Sequence, residues 1–515
     1  MKRRAFLLCL ASLAWAQVPT VGPQIPRYDQ LRFPPLRPVE LPKVESHTLS
    51  NGMRVLLLED HSLPLASGIA LIRTGSLFDP PEKVGLADIT GAVLRTGGTS
   101  TRTGEQLDRE LEDLAASIES SIGDTVGTVS FSCLSENLNQ VLQLFKEVLT
   151  TPAFRQDKLD LAKTQRRSLI ARRNDDPAGI AAREFRQIVY GRNTPYGWRM
   201  EYEHLERIQR EDLVAFHDRY FFPGNILLAI QGDFAAEQML QKLETLFGDW
   251  KVSRPPVPQF PPVTSQPQPG LFVASKTDIN QTFFRIGHVG STFRDPDYPA
   301  LSVMADILGG GFSSRLFVKV RTQLGYAYHV SASWNAEYLH PGLFTIAGST
   351  KSESTVDTLR TILAELQRLR SEEVSDEELR VAKDTVLNSF VFNFDQPSKI
   401  LTRLARYRYY GYPDDFIFQY QKAVAGVTKR DVLEVARKWI RPEQLTIVAV
   451  VHPGQLREPL SKLGLPIQEI DLTIPPPRKP EPSGKPAAQS SANPSRVQAA
   501  IMAEAARGLL QLPLP

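Results

Sequence analysis

Apolar and polar positions first fall into order at His47. In HTLSNGMRVLLLED (47–60) they alternate around Asn51-Gly52, a dipeptide suited to the positive φ angles of a tight hairpin, and LASGIALIRTG (65–75) continues the alternation, so these stretches read as paired strands. The spacing turns helical in GLADITGAVLRTGGT (85–99), which opens after a Gly and closes on Gly-Gly-Thr. TGEQLDRELEDLAASIES (103–120) reads as an amphipathic helix and TVGTVSFSCL (125–134) as a strand. SENLNQVLQLFKEVLTTP (135–152) is a further helix, ended by Pro152. LDLAKTQRRSLIARRNDDP (159–177) is helical and basic, and IQREDLVAFHDRYFFPGNILLAIQGD (208–233) predicts helix, turn and strand. This alternation is of the α+β type.

Prolines interrupt it at KVSRPPVPQFPPVTSQPQPG (251–270), which can continue neither a helix nor a central strand and reads as an interdomain linker. Beyond the linker the pattern repeats. Leu159, Ala162, Lys163, Asp175, Pro177 and Gly191 precede Leu379, Ala382, Lys383, Asp395, Pro397 and Gly411 by 220 places. Asp212, Leu213, Tyr220 and Pro223 precede Asp431, Val432, Trp439 and Pro442 by 219. An offset held to one residue over two separate blocks predicts a duplicated domain, with halves at 45–250 and 271–455. A Pro-rich arm (17–44) precedes them. A Pro- and Ser-rich tail (475–515) follows, with the composition of a disordered segment and a short apolar helix expected from Arg496 to Leu510.

Composition adds a compartment. MKRRAFLLCLASLAWAQ has a basic start, an apolar run too short to span a bilayer, and small residues at Ala14 and Ala16, so Met1–Ala16 reads as a secretory signal peptide. An uncleaved anchor is the alternative. Cleavage would place the protein in the periplasm or outside the cell, with no stable membrane insertion. It takes away Lys2, Arg3 and Arg4 and no acid, leaving 57 basic against 57 acidic residues. That neutrality argues against nucleic acid or an anionic membrane as the main partner. Cys133, the one cysteine left, has no disulfide partner and reads as an inert strand residue.

The stretch 85–99 carries a resemblance. Its Gly-Leu-Ala lead-in and Gly-Thr turn are similar to the frame of the signature helix in the pitrilysin/insulinase family of zinc metallopeptidases, which includes mitochondrial processing peptidase. In that family an inverted His-x-x-Glu-His motif on this helix binds zinc and activates water, and a Glu on a later helix completes the ligand set. Here Asp88, Gly91 and Ala92 occupy the motif and Leu169 the place of the later Glu, so the resemblance implies a degenerate zinc site and no metal in this chain. Gly91 reads as a helix-interior glycine whose replacement by Glu would favour the helix. The eight histidines, at 47, 61, 204, 217, 288, 329, 340 and 452, include no closely spaced pair that would build another zinc site, and there is no Gly-x-Ser-x-Gly elbow.

The resemblance extends over roughly 46–452 and implies two homologous metallopeptidase-type halves, each an antiparallel sheet packed with helices. ADILGGGFSSRLFVKVRTQLGYAYHVSA (305–332) resembles the family's second-half pattern, which puts Arg321 and Tyr328 at substrate-holding positions and suggests that Gly309, Gly310 and Gly311 form a loop touching the peptide. A helix-packing turn is the plainer reading of the three glycines. The function implied is the non-catalytic, substrate-holding subunit of a two-subunit zinc metalloendopeptidase, inactive alone, with a zinc-bearing homologous subunit and an unfolded peptide as partners. A scaffold or peptide-binding protein with no part in proteolysis is the alternative, and an enzyme with an unrelated site is a third.

Overall fold

A computed structural model describes Leu31 and residues 41–476. The expected signal (1–16), the arm apart from Leu31 and residues 41–44, and the tail beyond residue 476 with its expected helix lie outside the described residues. Strands β1 (Glu45–Thr48), β2 (Arg54–Glu59), β3 (Leu65–Ile72), β4 (Ser117–Ile122), β5 (Gly127–Leu134) and β6 (Ile226–Gly232) form one sheet in the order β1-β2-β6-β3-β5-β4. Strands β7 (Gly270–Ser275), β8 (Gln281–Val289), β9 (Ala327–Asn335), β10 (Leu343–Lys351), β11 (Thr446–Val451) and β12 (Ile467–Glu469) form the second, in the order β12-β7-β11-β8-β10-β9. Setting the outer strands β1 and β12 aside, the two orders are the same. Within the five strands they share, the first pair (β2–β6, β7–β11) is parallel and the remaining pairs are antiparallel. The fold is therefore a duplicated α+β unit.

The residues that gave the repeat occupy matching places. Pro177 and Pro397 begin the helices Pro177–Tyr190 and Pro397–Tyr410, and Gly191 and Gly411 follow them at φ 87° and 73°. Asp212 and Asp431 each accept a backbone N–H three residues upstream, from Gln209 and Thr428, at 2.8 Å, closing the first turn of Arg210–Tyr220 and of Lys429–Trp439. Pro223 and Pro442 each open a single 3-10 turn that leads into the central strand.

Three sequence expectations change. β2 and β3 are not paired with each other, because β6 inserts between them, parallel to one and antiparallel to the other. The helix expected over 103–120 is Gly104–Asp113 followed by β4. Ala115 adopts a left-handed conformation (φ 48°) that ends the helix, a position usually held by glycine. The chain also continues in the second half beyond 455, where β12 adds parallel to β7.

The back face of each sheet is covered by a helix from the other half. Pro177–Tyr190 buries Ile180, Ala181, Phe185 and Ile188 against Phe272 and Ala274 of β7 and Val448 and Val450 of β11. Pro397–Tyr410 returns Leu401 and Ala405 onto Leu56, Leu58, Leu71, Leu227 and Ala229. Strands β6 and β11, covered on both faces, are accordingly almost continuous apolar runs.

Candidate functional site: a degenerate metal motif and an uncommitted arginine

The signature helix spans Leu86–Thr96 and starts from Gly85 at φ 101°. Asp79 tethers that start, accepting the backbone N–H of Gly85 at 2.8 Å and of Ala87 at 2.9 Å. Burial lifts its carboxyl to about 7, against the pull of those N–H groups. Asp88, in the first turn, accepts two hydrogen bonds from Arg166 on the helix Gln156–Ala171, from Nε at 2.6 Å and Nη2 at 2.9 Å. The only carboxylate of the motif is thus spent on a guanidinium.

Gly91 contacts the first sheet directly. A Cβ there would lie 2.5 Å from the Ile122 amide nitrogen and 2.9 Å from the Ser121 carbonyl carbon of β4, and Ser120 Oγ donates to the Gly91 carbonyl at 2.7 Å. Gly91 is therefore a packing residue. The expectation that Glu at 91 would favour the helix is overturned, since any side chain there drives helix and strand apart. Ala92 has no donor atom, and Leu169 is 58% exposed. A zinc ion needs donor atoms from several residues converging on one point, and these positions supply a single carboxylate, both of whose oxygens already accept from Arg166. The residues do not fit the metal, and among the described residues no cluster of three or more His, Cys, Asp or Glu takes its place. Cys133 is buried, and desolvation pushes its thiol up to about 11, so it is no nucleophile near neutral pH.

The second half is built differently. Residues 314–317 serve as an anchor, because the buried Arg315 donates from Nε and Nη2 to both Glu378 oxygens at 2.6 and 3.1 Å. Burial opposes the charge on Glu378, yet the bonds from Arg315 and the Ser375 backbone hold its carboxyl at about 2. This fixes the segment Phe317–Gln323, a π-helical turn, and Arg321 lies within it. The Arg321 guanidinium carbon sits 4.6 Å from the ring centre of Phe317 and 4.7 Å from that of Tyr328, between the two aromatic side chains. The structure thus brings Arg321 and Tyr328 together. No carboxylate among the described residues pairs with this arginine, and Tyr328 is 77% exposed. Phe312, also exposed, packs edge-on against Phe317.

The three glycines separate. Gly309 is buried, and a Cβ on it would meet the Ala332 nitrogen of β9 at 2.2 Å. It packs helix on strand and is not available to a peptide, which corrects its expected role. Gly310 gives room to the Asp306 carboxylate, and Gly311 is exposed with nothing within 4 Å of an added Cβ. Sequence reasoning missed Asp79, Arg166 and Phe317. The last was within reach, because Phe317 and Arg321 stand one helical turn apart.

Residues 54–194 match the family model described as insulinase, peptidase family M16, and residues 207–386 match that of the peptidase M16 inactive domain. The chain belongs to the M16 peptidase family. M16 relatives include an uncharacterised zinc protease of Rickettsia felis, 24% identical over 79% of this chain and 97% of that one. Another is a probable mitochondrial-processing peptidase subunit beta of Arabidopsis thaliana, 25% identical over 79% of this chain and 78% of that one. Among solved structures, the M16 inactive domain from Pseudomonas fluorescens superposes with a TM-score of 0.72 at 22% identity, covering 79% of this chain and 98% of that one. The periplasmic protease PqqL from Escherichia coli gives 0.68 at 16% identity, over 80% of this chain and 46% of that one. These likenesses establish an M16 fold. No helix among the described residues is long and apolar enough to cross a membrane.

Proposed function

We propose that this chain is the zinc-free, substrate-holding subunit of a two-subunit M16 metalloendopeptidase that acts on unfolded peptides in the periplasm or outside the cell. The observation that carries the reading is Arg321: its guanidinium lies over the rings of Phe317 and Tyr328 and, among the described residues, donates to no hydrogen-bond acceptor and pairs with no carboxylate, so its N–H groups can serve a bound peptide. A peptide carbonyl suits that fork, and the exposed Tyr328 hydroxyl offers a second hydrogen bond. The first half, with Asp88 tied to Arg166, supplies no metal and no water-activating carboxylate, so hydrolysis falls to a zinc-bearing homologue. The basic, apolar leader and the periplasmic PqqL neighbour support the compartment.

The test is to purify the chain alone, measure its zinc by elemental analysis, and assay turnover of an unfolded peptide before and after adding a zinc-bearing M16 homologue from the same organism. The chain alone is expected to hold far less than one zinc and to cleave nothing, and the mixture to exceed the homologue alone. One zinc per chain, or a homologue whose turnover is indifferent to this chain, overturns the reading, the second result in favour of a scaffold.

A further inference from the structure

In the second half, the helices Tyr298–Gly309 and Asp376–Ser389 stand where Leu86–Thr96 and Gln156–Ala171 stand in the first, and Ser389 follows Leu169 by the same 220 places. Here the pair lines an open cavity of about 380 Å³, bordered by residues 332–335 of β9 and by Tyr420 of the helix Phe416–Gly426. Its walls are largely apolar, with Tyr298, Trp334, Phe390 and Ile417 prominent. The polar wall groups are mostly engaged with the protein itself: Ser302 Oγ shares a hydrogen bond with the Tyr420 hydroxyl at 2.7 Å, and Asn393 donates to the Phe390 carbonyl at 2.9 Å.

Asp306 is different. It is the one acid lining the cavity, and no lysine, arginine or histidine lines it. Among the described residues its carboxylate accepts no hydrogen bond and joins no ion pair. Gly310 makes its place, since a Cβ there would stand 2.0 Å from Asp306 Oδ1. A carboxylate among aromatic walls with no counter-charge is costly, and burial raises it to about 6. The groups facing it are the phenols of Tyr298 and Tyr420, whose pKa values burial also raises, so both stay neutral. The site therefore lacks a cation carried on an apolar stem, which is the chemistry of a basic amino-acid side chain.

The cavity also lies along the same strand as the arginine cluster. Tyr328 is the second residue of β9 and the lining residues begin at Ala332, so about 13 Å of extended chain separates them at 3.3 Å per residue. An extended peptide held at Arg321 and Tyr328 spans that distance in about four residues.

We propose that this cavity is a specificity pocket that receives a lysine or arginine side chain of an extended peptide, with Asp306 as its counter-charge. The proposal rests on the peptide-holding reading above and adds the class of residue selected. The test is calorimetric titration of the full chain with a blocked nine-residue alanine-leucine peptide carrying one central lysine, against the same peptide with norleucine, at pH 7.5 and pH 5. The lysine peptide is expected to bind roughly tenfold or more tightly, as for a charge-assisted hydrogen bond shielded from water. The preference should shrink at pH 5, below the Asp306 pKa, and vanish in Asp306→Asn. The lysine–norleucine comparison on the unaltered chain stands on its own if the variant fails to fold. Equal affinities for the two peptides overturn this proposal alone, and binding of neither overturns the peptide-holding reading as well. Butylammonium binding as tightly as the lysine peptide would make this a small-amine site and refute the peptide as occupant.

Discussion

Gly91→Ala asks whether the metal motif is still a metal frame or has become packing. The added Cβ would stand 2.5 Å from the Ile122 nitrogen, 2.9 Å from the Ser121 carbonyl carbon and 3.0 Å from Ile122 Cγ1, where ordinary contact begins at 3.4 Å. Two of these atoms are backbone in a paired strand, so no side-chain rotation relieves the clash, and the helix must withdraw from β4 by roughly 0.5–1 Å. Overpacking of this kind costs about 1–3 kcal/mol. Stretching the Ser120–Gly91 hydrogen bond adds about 1 kcal/mol. Against this, alanine in a helix interior returns about 1 kcal/mol over glycine. The net expectation is a loss of about 1–3 kcal/mol, read from urea unfolding midpoints, with Gly311→Ala as the control expected to fall within about 0.5 kcal/mol of the parent. A Gly91→Ala protein as stable as the parent would show that helix and strand separate freely, and the packing account of the lost motif would fail.

The reciprocal helices tie the halves together, so Ile180→Ala, which empties a fully buried site between the first half's helix and the second half's sheet, should cost about 2–4 kcal/mol and leave one calorimetric transition. Two resolved transitions in the parent would contradict this coupling. Asp79 should make stability depend on pH. It ionises near 3.8 when unfolded and near 7 in the native state, so between about pH 4 and 7 the unfolded chain holds fewer protons and stability falls as pH rises, levelling off above 7. Asp79→Asn should flatten that decline in urea midpoints from pH 4.5 to 7.5, and an unchanged slope would show that other groups cause it.

The duplication was legible because Pro177 and Pro397, Gly191 and Gly411, and Asp212 and Asp431 do the same local work in both halves, and such work is written in residue type and spacing. What escaped was set by distant partners. Nothing near Glu59 announces that β6, over 160 residues later, separates β2 from β3. Leu107, Leu111 and Ile118 keep helical spacing across the break at Ala115, so β4 was hidden behind a continuing apolar period. In the candidate site, the missing donors were plain from residue identity. The ion pair that holds Asp88 needed Arg166 to be seen beside it, and the tight approach that fixes Gly91 needed β4. Arg321 and Tyr328 were indicated by resemblance alone, and their contact through the ring faces appears only in three dimensions.

The central claim is that Arg321 serves a peptide bound beside a partner's zinc, and turnover by the reconstituted pair carrying Arg321→Ala tests it most directly. Removing a charge-assisted hydrogen bond to a peptide carbonyl costs about 1.5–3 kcal/mol, so turnover should fall by roughly one to two powers of ten. Sizing chromatography should still show the complex, because Arg321 is no large apolar anchor. Undiminished turnover by an intact Arg321→Ala complex would contradict the account.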